Sequence, residues 1–489
     1  MLVIQTMIAW FTKFWPLLTA ALSMILAVSA TIHAVLRKRD TRAVIGWVGL
    51  IWLAPLVGAP AYFCFGVNRI RRTAVSLKLK EAWSHRHHVA VEAKDVDHAK
   101  ELAEQHPTLR GLARMGTALI GKPILPGNLV EPLVNGDEAY PAMIKAIDEA
   151  KSSITLLSYI FDNDRAGKTF QDSLVRAQAR GIEVRVLIDH VGSRYTKPTM
   201  VDVLRRAGLH VEAFLPTLAF GKVRYSNLRN HRKILVVDGC IGFTGGTNIR
   251  EGHWLSLEPE SPVQCLHFSL KGPVVAHLQE AFAMDWSFAT GESLQGQTWF
   301  PEIHSTGQTF ARGIADGPDE DFEVLLDTMV GALTAANRRV WIVTPYFLPE
   351  STLIHALNVA SMKGVDVRIV VPAENNLPPV QWASTALFSQ ILERGCRIFL
   401  SAPPFDHTKL IIVDGVWSLI GSTNWDPRSL RLNFEYNVEC YDEELALRLE
   451  KIVEEKVNDA HEVSAQELKV IPLAKCLRNG VARLLTPYL

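Results

Sequence analysis

The chain of 489 residues is long enough for two or three domains with a sizeable core. Its 51 Lys and Arg balance 51 Asp and Glu, so it lacks the basic excess expected of a nucleic-acid-binding protein. Its six cysteines, at 64, 240, 265, 396, 440 and 476, form no C-x-x-C pair and no metal-ligand spacing, which points to reduced, mostly buried thiols.

Two apolar stretches open the chain. FWPLLTAALSMILAVSATIHAVL (14–36) carries no formal charge, and neither does AVIGWVGLIWLAPLVGAPAYFCFGV (43–67). Each is long enough to cross about 30 Å of hydrocarbon as a helix. Trp10, Trp15, Tyr62 and Phe63 sit near the ends, where interfacial aromatics belong, and Pro55 and Pro60 are expected to kink the second helix. Residues 1–68 are therefore read as a transmembrane hairpin with helices at about 14–36 and 43–67. A cleaved signal peptide ending at Val28-Ser29-Ala30 is the rival reading. The long aromatic segment before the first helix and the second apolar stretch argue against it. Arg37, Lys38, Arg39 and Arg42 lie in the connecting loop, against Lys13, Arg69, Arg71, Arg72, Lys78 and Lys80 on the other side. The positive-inside rule then favours a cytoplasmic body by a small margin.

Residues 69–125 read as a linker or accessory region, and its HRHH run (85–88) as a solvated or headgroup-facing patch rather than a metal site. Two similar halves follow, 126–310 and 311–460. AIDEAKSSITLLSYIFDNDRAGKTFQDSLVRAQARGIEVRVLID (146–189) matches ALTAANRRVWIVTPYFLPESTLIHALNVASMKGVDVRIVVP (332–372) in order: helix, strand ending at Tyr159 or Tyr346, helix, Gly181 or Gly364, strand. This predicts an α/β fold with a partly parallel sheet in each half. A repeat of about 180 residues is too long for a solenoid and implies duplication of a whole domain. The tail, 461–489, contains an amphipathic helix with Leu473, Leu477, Val481, Leu484 and Leu485 on one face. Docking on the body and lying in a membrane interface are both open for it.

One polar pattern occurs in both halves. HRKILVVDGCIGFTGGTNI (231–249) and HTKLIIVDGVWSLIGSTNW (407–425) both fit H-x-K-x4-D-x6-G-[GS]-x-N. The first supplies His231, Lys233, Asp238, Gly246 and Asn248; the second supplies His407, Lys409, Asp414, Ser422 and Asn424. A His and a Lys two apart on a strand share a face. A lone copy reads as a satisfied core histidine, but a buried lysine needs a partner, and two matching copies place cations and amides around one cleft. Such a set suits phosphodiester chemistry. Lys and Asn hold non-bridging oxygens, one His attacks phosphorus, and the other protonates the leaving alkoxide. No metal or other cofactor is expected.

These residues resemble the paired motifs of the phospholipase D superfamily. The apolar N-terminus, RKRDTRAVIGW, NLRNHRK (227–233), GPVVAHLQEAFAMDW (272–286) and NWDPRSLRLNFE (424–435) narrow the resemblance to its bacterial cardiolipin synthases. The resemblance implies a duplicated phospholipase D-like fold, two pseudo-symmetric mixed sheets flanked by helices, after two transmembrane helices. It also implies a multi-pass protein of the bacterial inner membrane. The implied reaction passes a phosphatidyl group from one phosphatidylglycerol to a second, with His231 as nucleophile and His407 as general acid and base. Asp238 and Asp414 count among the catalytic residues by this analogy. Phospholipid and membrane are the partners; oligomeric state is left open. Water or another alcohol as acceptor is the alternative. The neutral charge and the membrane segments disfavour a nuclease, and two intact motifs disfavour a lipid-binding scaffold without chemistry.

In the family a carboxylate downstream of each motif orients its imidazole. Glu435 matches after the second motif. After the first, VQCLHFSLKGP (263–273) has Cys265 where Asp is expected. A thiol is a poor anionic acceptor unless ionised. The expectation is that the His407 half is complete, while His231 is less well oriented or relies on Glu251, Glu258 or Glu260.

Overall fold

The computed structural model describes residues 2–38, 41–66, 101–102, 104–216, 228–318 and 323–486. The basic residues between 69 and 80 and the HRHH run lie outside the described residues. The chain divides into an N-terminal helical unit and a larger α/β unit.

In the helical unit, α1 (Leu2–Arg37) is one helix, and its part Phe14–Arg37 is long and apolar enough to cross a membrane. The second apolar stretch departs from the expected single helix. It forms α2 (Thr41–Leu53) and α3 (Pro55–Ala61), then a π-helical turn, Tyr62–Gly66. The break falls at Ala54, with φ −144° and ψ 72°, because the residue before a proline is pushed out of the helical region. It is a reversal rather than a kink. A Cβ on Gly58 would stand 2.5 Å from the Leu50 carbonyl oxygen and 2.9 Å from Ile51 Cα; in a straight helix positions 51 and 58 would be about 10 Å apart. Trp47 and Tyr62 meet with ring centroids 5.5 Å apart. So α3 returns along α2, and each arm alone is too short for a bilayer. Ala27, Ala30 and Ala34 of α1 pack with Ile51, Ala59 and Tyr62, small side chains allowing close helix approach. Ile45, Leu53 and Val57 face outward.

The α/β unit is built on one continuous mixed sheet. Its first half contains β1 (Leu125–Val134), β2 (Ser153–Ser158), β3 (Glu183–Asp189), β4 (His210–Phe214), β5 (Arg229–Asn230), β6 (Ile234–Val237), β7 (Ile241–Gly245), β8 (Val263–Gln264) and β9 (Leu266–Lys271). The second contains β10 (Thr309–Asp316), β11 (Arg339–Val343), β12 (Asp366–Pro372), β13 (Arg397–Ser401), β14 (Phe405–Asp406), β15 (Leu410–Val413), β16 (Trp417–Gly421) and β17 (Asn433–Tyr441). Spatial order runs β1-β9-β7-β6-β2-β3-β4 in one direction and β10-β17-β16-β15-β11-β12-β13 in the other, joined by antiparallel β1 and β10. Each half thus repeats the other strand for strand, with β2-β3-β4 and β11-β12-β13 parallel and the motif hairpins antiparallel.

Each half has its own apolar core, around Leu156, Val186 and Leu235 in the first and Ile342, Ile369 and Ile411 in the second. The four residues LIIV of β15 are all buried, as expected of a strand covered on both faces, and each such side chain contributes about 1.5–3 kcal/mol. Within the interval read as a linker, the helix Arg110–Ile120 sends Leu112 and Ala113 into the second core. It also receives the fully buried Arg312, which pairs with Glu439 and donates to Thr117 Oγ1 at 2.9 Å.

Two short pairings matter most for the site. β5 runs parallel to β17, aligning Asn230 with Phe434, and β14 runs parallel to β8, aligning Asp406 with Gln264. Each strand that delivers a motif histidine is therefore clipped to the other half.

Candidate active site

His231 follows β5 and His407 follows β14, and both point into one cavity of about 590 Å³. Their ring centroids are 6.5 Å apart at 82°. Asn248, Asn424, Tyr159 and Tyr346 line it in matching pairs, with Arg229, Arg250 and Arg428 at its wall. Tyr159 meets His231 edge-on at 5.0 Å, and Tyr346 meets His407 at 6.2 Å. Lys233 Nζ donates to the His231 carbonyl at 2.8 Å, and Lys409 Nζ to the His407 carbonyl at 2.7 Å. Each ammonium is thereby held against its own motif histidine, and the structure brings the two histidines and the two asparagines to one cavity, whose lining does not include the lysines.

Asp238 and Asp414 are not brought to the cavity. Each sits at the hairpin turn that ends its motif strand, at φ 51° and 56°. Asp238 accepts from the amides of Lys151, Ser152 and Ser153, and Asp414 from those of Asn337, Arg338 and Arg339. Their geometry ties the hairpin to the chain entering the neighbouring strand. Each lies seven positions on from its His, on the order of 20 Å of extended chain.

The orienting carboxylate is exchanged between the halves. Glu435 lies against His231, with Nδ1 3.0 Å from both carboxylate oxygens, and does not serve His407. The cause is the β5–β17 pairing, in which the His231 amide donates to the Phe434 carbonyl at 2.9 Å. Glu435 is fully buried and also accepts from Ser422 Oγ and from Asn433 Nδ2 at 3.0 Å. Burial pushes its acidity toward the neutral form, but His231, Lys233 and Ser422 outweigh that and hold the carboxyl below its ordinary range. Ser422 thus supports the carboxylate.

Cys265 correspondingly sits beside His407, its Sγ 3.3 Å from the His407 carbonyl oxygen. His407 Nδ1 is 3.0 Å from the Gly246 carbonyl oxygen instead of a carboxylate. A carbonyl only accepts, so Nδ1 carries a proton and Nε2 is the ring nitrogen left to take up or release one. Gly246 is required there: a Cβ would stand 2.5 Å from Cys265 Sγ and 2.8 Å from the His407 carbonyl oxygen. Burial raises the Cys265 thiol to about 11, so it is a neutral neighbour. The half expected to be deficient is the complete one, and no acid replaces Cys265 from the intervening loop. Glu251 is engaged by Arg165 at 2.7 Å, and Glu258 and Glu260 do not line the cavity.

Burial is the largest influence on both motif histidines. It lowers His231 to about 4 against the opposing pull of Glu435, and it takes His407 well below its ordinary value, helped by Lys409. Two further histidines escaped the sequence reading. His253 lines the cavity with its ring 6.0 Å from that of His407, and its buried Nδ1 has no hydrogen-bond partner among the described residues. His267 is buried on β9. Outside the repeated pattern, nothing but the short loop REGHW signals His253. Among the described residues no cluster of His, Cys, Asp or Glu has metal-binding geometry.

The match to known proteins fits this geometry. The family described as cardiolipin synthase, PLD-like domain, matches residues 143–286 and 329–457, which include both motifs. The chain belongs to the cardiolipin synthase family of the phospholipase D superfamily, and it is an enzyme of that family. The family's N-terminal module, described as phospholipase D-nuclease N-terminal, matches 25–66. Cardiolipin synthase A of Pseudomonas putida strain GB-1 is 32% identical over 473 residues, 95% of this chain and 96% of the relative. Cardiolipin synthase A of Pseudomonas fluorescens strain SBW25 is 33% identical, over 94% of this chain and 95% of the relative. The cardiolipin synthase family member also shares its fold with a phosphatidylserine synthase from Haemophilus influenzae, with a TM-score of 0.62 at 17% identity over 77% of this chain and all of that one.

Proposed function

We propose that this family member condenses two phosphatidylglycerol molecules into cardiolipin and glycerol through a phosphatidyl-histidine. The observation that carries the assignment of roles is the Glu435–His231 contact. A carboxylate on Nδ1 orients the ring, raises the basicity of Nε2 and stabilises the charge the ring gains on attack. Nε2 of His231 attacks phosphorus, the bond to the glycerol headgroup oxygen breaks, and His407, which enters this step as the imidazolium with a proton on each ring nitrogen, gives its Nε2 proton to that oxygen. Neutral His407 then takes the proton from a headgroup hydroxyl of the second phosphatidylglycerol. That oxygen attacks phosphorus, and the bond to His231 breaks. Lacking a carboxylate, His407 gives up its proton readily, which suits a group that shuttles rather than bonds. Lys233, Lys409, Asn248 and Asn424 hold the non-bridging oxygens.

The test is a product balance on phosphatidylglycerol vesicles. One cardiolipin and one glycerol are expected for every two lipids consumed. Phosphatidic acid with no cardiolipin would show that water is the acceptor.

The two lysines set a pH dependence. Burial, the largest cause, lowers Lys233 to about 7 and Lys409 to about 8. An ammonium that binds phosphate must be charged, so kcat/KM falls as pH rises through 7 to 8. Lys233→Arg, which stays charged, moves the upper limb to higher pH. A profile flat to pH 9 would contradict this role.

The reversal at Ala54 supports an arrangement in which α1 spans the membrane and α2–α3 is re-entrant. Arg37, Lys38, Arg39 and Arg42 then share one side with Arg69, Arg71, Arg72, Lys78 and Lys80, leaving Lys13 opposite. Two full spans would instead divide these charges between the sides. The positive-inside rule then places the N-terminus outside and the catalytic body in the cytoplasm. In intact cells an N-terminal tag should be accessible to protease and a C-terminal tag protected; both tags on the same side would exclude the re-entrant arrangement.

A further inference from the structure

The C-terminal helix, Leu473–Leu484, is docked the wrong way round for a soluble protein. It rests on the helix Pro378–Thr385 through its polar and small side chains. Asn479 and Ala482 are buried, and the Arg478 guanidinium lies 4.4 Å over the Trp382 ring. Its apolar face points away from the body. Leu473, Leu477, Val481 and Leu484 are exposed, and flanking Val470 and Leu485 are 79% and 51% exposed. Leaving this much contiguous apolar surface in water is unfavourable and marks an interaction site. The segment from Lys469 to Leu485 also carries four basic residues, Lys469, Lys475, Arg478 and Arg483, and no acidic one.

We propose that this helix lies in the surface of an anionic bilayer, apolar face down, next to the mouth of the active-site cavity. An outward apolar face with basic flanks fits acyl chains below and anionic headgroups around it. The position follows from the supporting helix, because Leu377, Pro379 and Val380 at its start line the cavity. A helix seated in the interface would hold that mouth at headgroup level, so a phospholipid could reach His231 without leaving the membrane. Only this last consequence rests on the proposed lipid substrate.

Cys476 lies on the exposed side of the helix, whereas Cys265, Cys396 and Cys440 are buried. Full-length protein with Cys64→Ser and Cys240→Ser, labelled at Cys476 with an environment-sensitive fluorophore, is reconstituted into phosphatidylglycerol vesicles. The label is expected to shift to the blue and to be quenched by lipids brominated near the headgroup end of the acyl chain. Replacing Leu473, Leu477, Val481 and Leu484 together by Gln should abolish the quenching. It should also raise the apparent KM for vesicle lipid about tenfold or more, with kcat on detergent-dispersed lipid unchanged. A label that stays water-exposed, or quenching indifferent to the four substitutions, would overturn the proposal. So would a blue shift that scales with protein concentration and ignores brominated lipid, which would assign the face to a second copy of the chain. The quenching needs no turnover, so it separates failure of this proposal from failure of the proposed reaction.

Discussion

His231→Ala is expected to abolish cardiolipin formation, with a loss on the order of 10⁴-fold or more. The substitution removes the atom that would bond to phosphorus, and neither neighbour can replace it. Lys233 and Lys409 are each held to a backbone carbonyl. His407 lacks a carboxylate on its ring, so its Nε2 is the poorer nucleophile, although its ring is only 6.5 Å away. His407→Ala should also be severe, but with a different signature. Departure of glycerol loses its acid and the second attack loses its base, while the nucleophile remains. A phosphatidyl donor with a good leaving group, such as a nitrophenyl ester, needs no acid in the first step. Such a donor should restore a burst of nitrophenol in His407→Ala and none in His231→Ala, measured by stopped-flow absorbance. A burst in both would place the nucleophile elsewhere.

Glu435→Gln should cost about 10²–10⁴-fold in kcat with little change in KM. The carboxylate has no reach into the cavity, being fully buried, so it acts through His231. Glutamine keeps the size and can still hydrogen-bond Nδ1, but it cannot stabilise the positive imidazole that forms as phosphorus is attacked. Its negative charge also lies among Lys233, Lys409 and His231, so neutralising it leaves a buried excess of positive charge. That should lower the charge state of the lysines and shift the upper limb of the pH profile downward, a change that merely loosened packing would not cause. Steady-state rates against pH for the variant and the unsubstituted enzyme check both statements. An unchanged pH profile with normal kcat would remove Glu435 from the proposed mechanism.

The duplicated motif was legible because it is local. His, Lys and Asn at fixed spacing on a hairpin occupy equivalent places in any fold that builds the hairpin, and two copies in one chain meet across a pseudo-symmetric sheet. The exchange of Glu435 was not legible. It depends on β5 pairing with β17, a contact between residues 204 positions apart, and proximity along the chain pointed to the wrong histidine. The placement of Asp238 follows from spacing, since it lies seven positions on from His231, across the four-residue strand β6. Membership in a motif is not membership in the site. The second apolar stretch shows another limit. Hydropathy measures how much apolar chain there is, and the reversal at Ala54 concerns its direction. For the C-terminal helix, periodicity fixed which residues share the apolar face, and only the packing of Asn479, Ala482 and Arg478 shows that this face is turned outward.

The central claim is that phosphorus is carried on His231 between the two lipids. His407→Ala enzyme, mixed briefly with the nitrophenyl donor and quenched in alkali, where a phosphoramidate bond survives, should be digested and analysed by mass spectrometry. The mass of the phosphatidyl group, or of its deacylated glycerophosphoryl remnant, is predicted on the peptide containing His231 and absent from the peptide containing residue 407. An adduct on any other residue, or nitrophenol release with no adduct at any time, would contradict the account.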